Sequence, residues 1–279
     1  MPEDKLCIHK YLTKCLTNPQ PPGFADFLRG TIALYNFSQK HGYKLLFDNE
    51  HPLYKFIKPN ENIISTDSSS DVIEILPPLD YDTLYHKLNN IFSDNKSFKV
   101  MTNSFYNLNN VGKVYNWGGI SEHCRGYLRQ IFCPSVELDN KIEHVIKSVY
   151  GIKTGETFKI IHVRFGDKFI HNNTYDDSLY NLYYNKISNI INNNNKHNKY
   201  VLISDSSIMA NKLKINIPKL YYWDNKKIHM GDLINNTEST LLDTLTDFFI
   251  MTKSNEIISN GSGFSTCVSI IYNIKYITI

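Results

Sequence analysis

Hydrophobic and polar positions along this 279-residue chain follow two rhythms, and the alternation between them becomes regular near residue 155. In the first half, short β-branched and aromatic runs predict strands at 5–12, 43–47, 72–76 and 98–101. Apolar positions near helical spacing predict helices at 24–40 and 81–92. In the first of these helices Phe24, Phe27, Leu28, Ile32, Tyr35 and Phe37 form the apolar side, and His41-Gly42 ends it. Pro19-Gln20-Pro21-Pro22-Gly23 breaks the chain sharply ahead of that helix. Strand, glycine turn, helix and strand make a βαβ unit whose helix start carries Asp26 and Arg29. Residues 51–70 and 107–119 read as irregular, and 121–132 and 135–150 read as helices parted by Cys133-Pro134.

Beyond Gly155, strands at 157–163, 200–203, 220–223, 256–259 and 276–279 alternate with helices at 178–191, up to 213, 238–253 and 264–272. Strand–helix alternation predicts an α/β protein with parallel, doubly wound sheets. The glycine-flanked stretch 151–155 is the expected boundary. It separates an N-terminal α/β domain, 1–153, from a C-terminal Rossmann-like domain, 154–279.

Polar clusters fall where the strands of the second half stop. Lys159-Ile160-Ile161-His162-Val163 runs into Arg164-Phe165-Gly166-Asp167; the strand at 200–203 runs into Ser204-Asp205-Ser206; the strand at 256–259 runs into Asn260-Gly261-Ser262-Gly263-Phe264-Ser265. In a parallel sheet these ends share one edge, where ligands bind. Arg164 suits a two-pronged grip on phosphate oxygens, and Gly166 lets backbone approach a ligand closely. The plainer alternative pairs Arg164 with Asp167 in a solvated loop. Gly261-Ser262-Gly263 opens a helix, whose N-terminal N–H groups attract anions; alone it is only a turn. Asp205 and Ser206 have a plainer role as helix caps. Three clusters on one edge favour a shared site. On the helix at 238–253, Leu241, Leu242, Leu245, Phe248 and Phe249 form the packed side, while Thr240, Asp243 and Asp247 share another. Asp243 is expected to face water, and Asp247 to lie nearer the strand and a ligand.

Composition narrows the chemistry. With 42% hydrophobic and 20% charged residues the chain can bury real cores, and a net charge of +3 with pI near 8.4 is too weak a basic footprint for nucleic acid. That charge does suit a small anionic ligand. Five cysteines (Cys7, Cys15, Cys124, Cys133, Cys267) form no Cys-x-x-Cys, so neither a disulfide framework nor a zinc site is favoured. Asp80-Tyr81-Asp82 has the form of a metal-binding Asp-x-Asp, but its place at a helix start favours capping. No apolar run reaches the ~20 residues of a membrane span, and the N-terminus lacks a signal-type apolar core. A soluble intracellular, cytoplasmic protein is therefore expected.

The residues also carry a family resemblance. Ile161-His162-Val163-Arg164-Phe165-Gly166-Asp167 resembles the His-x-Arg-x-Gly-Asp motif of the GDP-fucose-dependent fucosyltransferases. Asp247-Phe248-Phe249-Ile250-Met251-Thr252-Lys253-Ser254, followed by the run from Ile257 to Ser265, resembles their C-terminal motif. Gly23-Phe24-Ala25-Asp26-Phe27-Leu28-Arg29-Gly30 is similar to their N-terminal Gly-x-x-Asn-x-x-Arg loop, with Asp26 where Asn is common. Residues 117–132, with Ser121-Glu122, are similar to the segment before the donor domain.

The resemblance implies a GT-B fold of two facing Rossmann-like domains, acceptor in the first and nucleotide sugar in the second. It implies transfer of fucose from GDP-fucose to a glycan or other hydroxyl acceptor, with inversion and without metal. By position Arg164 would hold the β-phosphate, His162 would approach the nucleotide, Asp247 would bind guanine, and Ser262 or Ser265 the diphosphate. Gly23, Arg29, Gly166, Asp167, Asp205, Ser206, Gly263 and Phe264 complete the donor set. Asp26, Glu122 and His123 are candidates for the general base. Many relatives carry a second basic residue where this chain has Phe165, with Lys168 or Arg29 able to compensate. Two other readings stay open: a transferase of the same fold using another nucleotide sugar, and a non-catalytic sugar-nucleotide or glycan-binding protein.

Overall fold

The computed structural model describes residues 5–11, 23–59, 64–65, 72–75, 81–93, 97–102, 120–166, 169, 174–193, 198–226, 228, 230 and 237–279. The chain forms two compact units, Met1–Cys133 with Met230–Ile234, and Pro134–His229 with Asn235–Ile279. Each is built on a five-stranded sheet whose strand pairs are all parallel, so the α/β class expected from the alternation is what the chain adopts.

The first unit contains β1 (Leu6–Lys10), α1 (Phe24–His41), β2 (Lys44–Asp48), β3 (Ile64–Ser65), β4 (Val72–Ile75), α2 (Tyr81–Ser93), β5 (Phe98–Thr102) and α3 (Glu122–Ile131). Its strand order is β3-β2-β1-β5-β4. The apolar stripe of α1 is buried as its spacing requires, and Phe27 stacks on His9 of β1 at 4.5 Å between ring centroids. Gly42 ends α1 in the left-handed region at φ 71°, and its N–H returns to the Ser38 carbonyl. The two-residue β3 lies in the stretch the pattern left irregular, too short for any periodicity to mark. Among the described residues, no helix is long and apolar enough to cross a membrane.

The second unit contains α4 (Val136–His144), which continues as a π-turn Val145–Val149, then β6 (Phe158–Val163), α5 (Asp177–Asn193), β7 (Lys199–Ser204), α6 (Ser207–Asn216) and β8 (Leu220–Tyr222). It is completed by α7 (Glu238–Thr252), β9 (Glu256–Ser259), α8 (Gly263–Tyr272) and β10 (Lys275–Thr278). The order is β10-β9-β6-β7-β8, with β6 central. A strand covered on both faces needs a continuous apolar run. Ile160, Ile161 and Val163 of β6 are accordingly fully buried.

This unit starts at Pro134, ahead of the 153/154 break expected from the glycines. The cause is packing, because α4 lies against α7 and Lys141 forms an ion pair with Asp243. That pair corrects one expectation: the Asp243 side chain is only 13% exposed and does not face open water.

In the first unit, His51 is buried and stacks on Tyr11 at 4.1 Å. Its Nδ1 accepts the Leu53 N–H at 3.1 Å, so Nε2 carries the proton and donates to the Met230 carbonyl at 3.2 Å. Burial lowers its pKa from 6.5 to about 4. Below pH 6.5 the unfolded chain therefore binds a proton that the folded imidazole refuses, so stability is complete at neutral pH and is lost as pH falls towards 4. Melts between these limits should show an acid-side loss of roughly 3 kcal/mol. His51→Asn, which keeps an acceptor for Leu53 but does not titrate, should flatten that slope; an unchanged slope would refute the assignment.

Candidate functional site

Connections from β6 run through β7 to β8 on one side of the second sheet, while β9 and β10 occupy the other side. The switch in direction falls between β6 and β9, and a crevice opens outside the carboxyl ends of two such strands. β6 releases its chain there at Arg164, and β9 releases its chain at Asn260, with β7 ending alongside at Ser204. The three polar clusters seen in the sequence are thus brought to one edge.

The Arg164 loop is held from both flanks. From β9, the Asn260 side-chain oxygen accepts the Arg164 N–H at 3.0 Å, and its amino group donates to the Arg164 carbonyl at 2.8 Å. From β7, the Asp205 carboxylate accepts the N–H groups of Phe165 at 2.7 Å and Gly166 at 2.9 Å. The Arg164 Nε lies 3.9 Å from Asp205, and the Arg164 side chain is 40% exposed. Burial pushes the Asp205 carboxyl above its ordinary range, partly opposed by those two N–H groups and by Arg164. Asp167, the alternative partner of Arg164, lies outside the described residues, as does Lys168. Phe165 turns into the core, edge-on to Tyr183 at 5.5 Å and 5.7 Å from Phe169.

The opposite wall is the start of α8. Gly261 takes φ 92°, and Ser262 caps the helix by accepting the Phe264 N–H at 3.3 Å. Ser265 is fully buried, its hydroxyl 3.0 Å from Ser259 Oγ and 3.2 Å from the Ser262 carbonyl. His162 is buried too, with Nδ1 3.5 Å from Ser259 Oγ and its ring 6.1 Å from that of Phe264. Phe264 in turn meets Phe248 edge-on at 5.3 Å. Ser206 takes its plainer role, capping α6 through the Met209 N–H at 3.4 Å. Asp247 is buried on α7. Burial raises the pKa values of Tyr150 and Tyr222, and the charge of Asp247 adds to both shifts.

The candidates in the first unit are built into local pairs. Asp26 accepts from the Gly23 N–H at 3.2 Å and from Arg29 at 2.9 Å, closing the start of α1. Glu122 is exposed and bonded to Arg125 at 3.1 Å and Arg129 at 3.0 Å, chiefly the former, which holds its carboxyl below the ordinary range. His123 Nδ1 shares a hydrogen bond with the Tyr35 hydroxyl. Among the described residues no three His, Cys, Asp or Glu side chains gather as a cation-binding set. The roles of Asn260 and Tyr183 had no sequence signal beyond membership of a polar cluster and of a helix.

No family model matches the chain, and no curated relative does. Solved structures do. Fucosyltransferase NodZ from Bradyrhizobium aligns over 95% of this chain and 91% of its own at 14% identity, with a TM-score of 0.59. A variant of Arabidopsis thaliana FUT1 in complex with GDP aligns over 98% and 70% at 9% identity, with a TM-score of 0.60. POFUT1 in complex with GDP-fucose aligns over 99% of both chains at 9% identity, with a TM-score of 0.53. The chain has the fold of the GDP-fucose-dependent fucosyltransferases. At these identities the likeness is one of fold, a GT-B-like α/β architecture. In this fucosyltransferase fold the Arg164 loop and the start of α8 sit at the switch point of the second sheet.

The loop also makes a stability prediction. Gly166 has φ 118°, where side chains are strained, yet an added Cβ would meet nothing within 4 Å. Gly166→Ala should therefore lower unfolding free energy by about 1–3 kcal/mol through backbone strain alone. Denaturant titration measures this, and a neutral result would show that the loop relaxes freely.

Proposed function

We propose that this chain is a glycosyltransferase that moves fucose from GDP-fucose to a hydroxyl acceptor. The supporting observation is the convergence of a half-exposed arginine and a helix N-terminus at the switch point between β6 and β9. In the proposed reaction an acceptor oxygen attacks the anomeric carbon from the face opposite the diphosphate and loses its proton to a base. The bond from that carbon to the phosphate oxygen breaks, and its electron pair leaves with GDP. One displacement inverts the anomeric centre.

Negative charge grows on the departing diphosphate, so groups aimed at it stabilise the transition state more than the ground state. Arg164 supplies a full positive charge, and the α8 start supplies backbone N–H groups and a partial one. This reading gives charge neutralisation to the protein rather than to a divalent cation. Asp247 is assigned to the donor's base, with the second unit as donor side and the first as acceptor side. Glu122 is the weakest base candidate, since its two arginines favour the charged form over proton uptake.

Incubation with GDP-fucose and a panel of hydroxyl acceptors should release GDP, with activity retained in EDTA. Arg164→Ala should lower that rate by about 10²–10³ while leaving the melting temperature near that of the parent. Undiminished turnover would sink the assignment. Thermal shifts with GDP, UDP and ADP test the donor separately, and stabilisation by UDP alone would transfer the function to another nucleotide sugar.

A further inference from the structure

Beyond Val163 the Arg164 loop leaves the ladder of the central strand, and two side chains take over the hydrogen bonding that the ladder drops. Asn260 both accepts from the Arg164 N–H at 3.0 Å and donates to its carbonyl at 2.8 Å, so one side-chain amide satisfies both main-chain groups of Arg164. The same amino group donates to the Tyr183 hydroxyl at 2.8 Å, and the Tyr183 ring stands at 87° to Phe165. Asn260 is thereby fixed to α5 as well as to the loop. On the other flank each oxygen of Asp205 takes one of the next two N–H groups, those of Phe165 and Gly166, and the Arg164 Nε lies 3.9 Å from the carboxylate.

Three successive main-chain N–H groups are thus gripped by side chains of the residues that directly follow the two strands flanking β6. Phe165, buried beneath them, pins the middle of the loop to the core. A loop that needed only to turn would not require its direction fixed from both neighbours.

We propose that Asn260 and Asp205 are positioning residues that aim the Arg164 guanidinium at the leaving diphosphate, with Tyr183 holding Asn260 in place. The proposal rests on the assignment of Arg164 above. Asp205 then acts on the donor through the loop, and its carboxylate, which would repel a diphosphate, is occupied by loop N–H groups. The buried Phe165 anchors the loop from beneath, against Phe169 and Tyr183.

The test uses the full chain with Asn260→Ala, Asn260→Asp, Tyr183→Phe and Arg164→Ala, and the double variant Asn260→Ala/Arg164→Ala. Amide hydrogen exchange at Arg164, Phe165 and Gly166 is measured beside GDP release from GDP-fucose. Asn260→Ala should speed exchange of the Arg164 amide and lower kcat by about 10²-fold, with KM for GDP-fucose changed less than about threefold because the misdirected charge acts mainly in the transition state. Asn260→Asp keeps the acceptor for the Arg164 N–H and loses both donations, so it should fall between parent and alanine variant. In the Arg164→Ala background the Asn260 substitution should add less than about twofold, since both act through one group. Fully additive losses, or a loss confined to KM, would overturn the proposal. Should Asn260→Ala not fold, Tyr183→Phe carries the test, with a smaller loss in the same sense expected and unchanged kinetics and exchange counting against it. If the parent neither binds GDP nor consumes GDP-fucose, the functional reading fails by itself. The exchange data still decide the brace, which unchanged exchange in every variant would overturn.

Discussion

Parallel pairing of β6 with β9 is the constraint on which the second unit turns. Their register sets Lys159 opposite Glu256 and His162 opposite Ser259, so both strands run out together and the chain departs on either side. At the amino end Glu256 is bonded to Lys159 at 2.9 Å and to Lys275 of β10, one carboxylate joining three adjacent strands. At the carboxyl end no such ladder continues, and side chains do the joining. The same pairing therefore fixes the sheet and brings the polar strand ends to one edge.

What fills that edge follows from the cost of burying polar groups. An unsatisfied buried N–H costs about 1–3 kcal/mol, and a loop leaving a central strand exposes several at once. Asn260 and Asp205 satisfy them from opposite sides, while Ser206 and Ser262 satisfy the N–H groups that open α6 and α8. Phe165 follows Arg164 directly and turns inward. Its ring belongs to the core cluster with Phe169 and Tyr180, which makes it an apolar anchor beneath the loop.

The first unit shows how local pairing limits candidate chemistry. Asp26 closes the start of α1 and meets Arg29, Glu122 is held by two arginines, and His123 is joined to Tyr35. These partners came with the helices: Asp26 with Arg29 and Glu122 with Arg125 are each three residues apart on one helix, a spacing that brings side chains together whatever else they do.

Much of the architecture was legible in the chain itself. The apolar residues of β6 and the six-position stripe of α1 each bury in one way only, because strand and helix periods fix which residues share a face. The convergence of Arg164, Asp205 and Gly261 followed from strand alternation, since parallel strands end on one edge. The limits of local pattern lay where distant residues decide. Asp243 looked solvent-facing until Lys141 of α4 was brought against it, and that same contact moved the start of the second unit to Pro134. Asn260, Tyr183 and Asp205 are far apart in sequence, and their joint hold on Arg164 exists only once β6, β7, β9 and α5 have packed. Sequence alone determined the periodic elements and the edge on which their polar ends meet, because these depend on near neighbours. Only the tertiary structure decided which groups satisfy one another there, because hydrogen-bond partners are chosen by position in space.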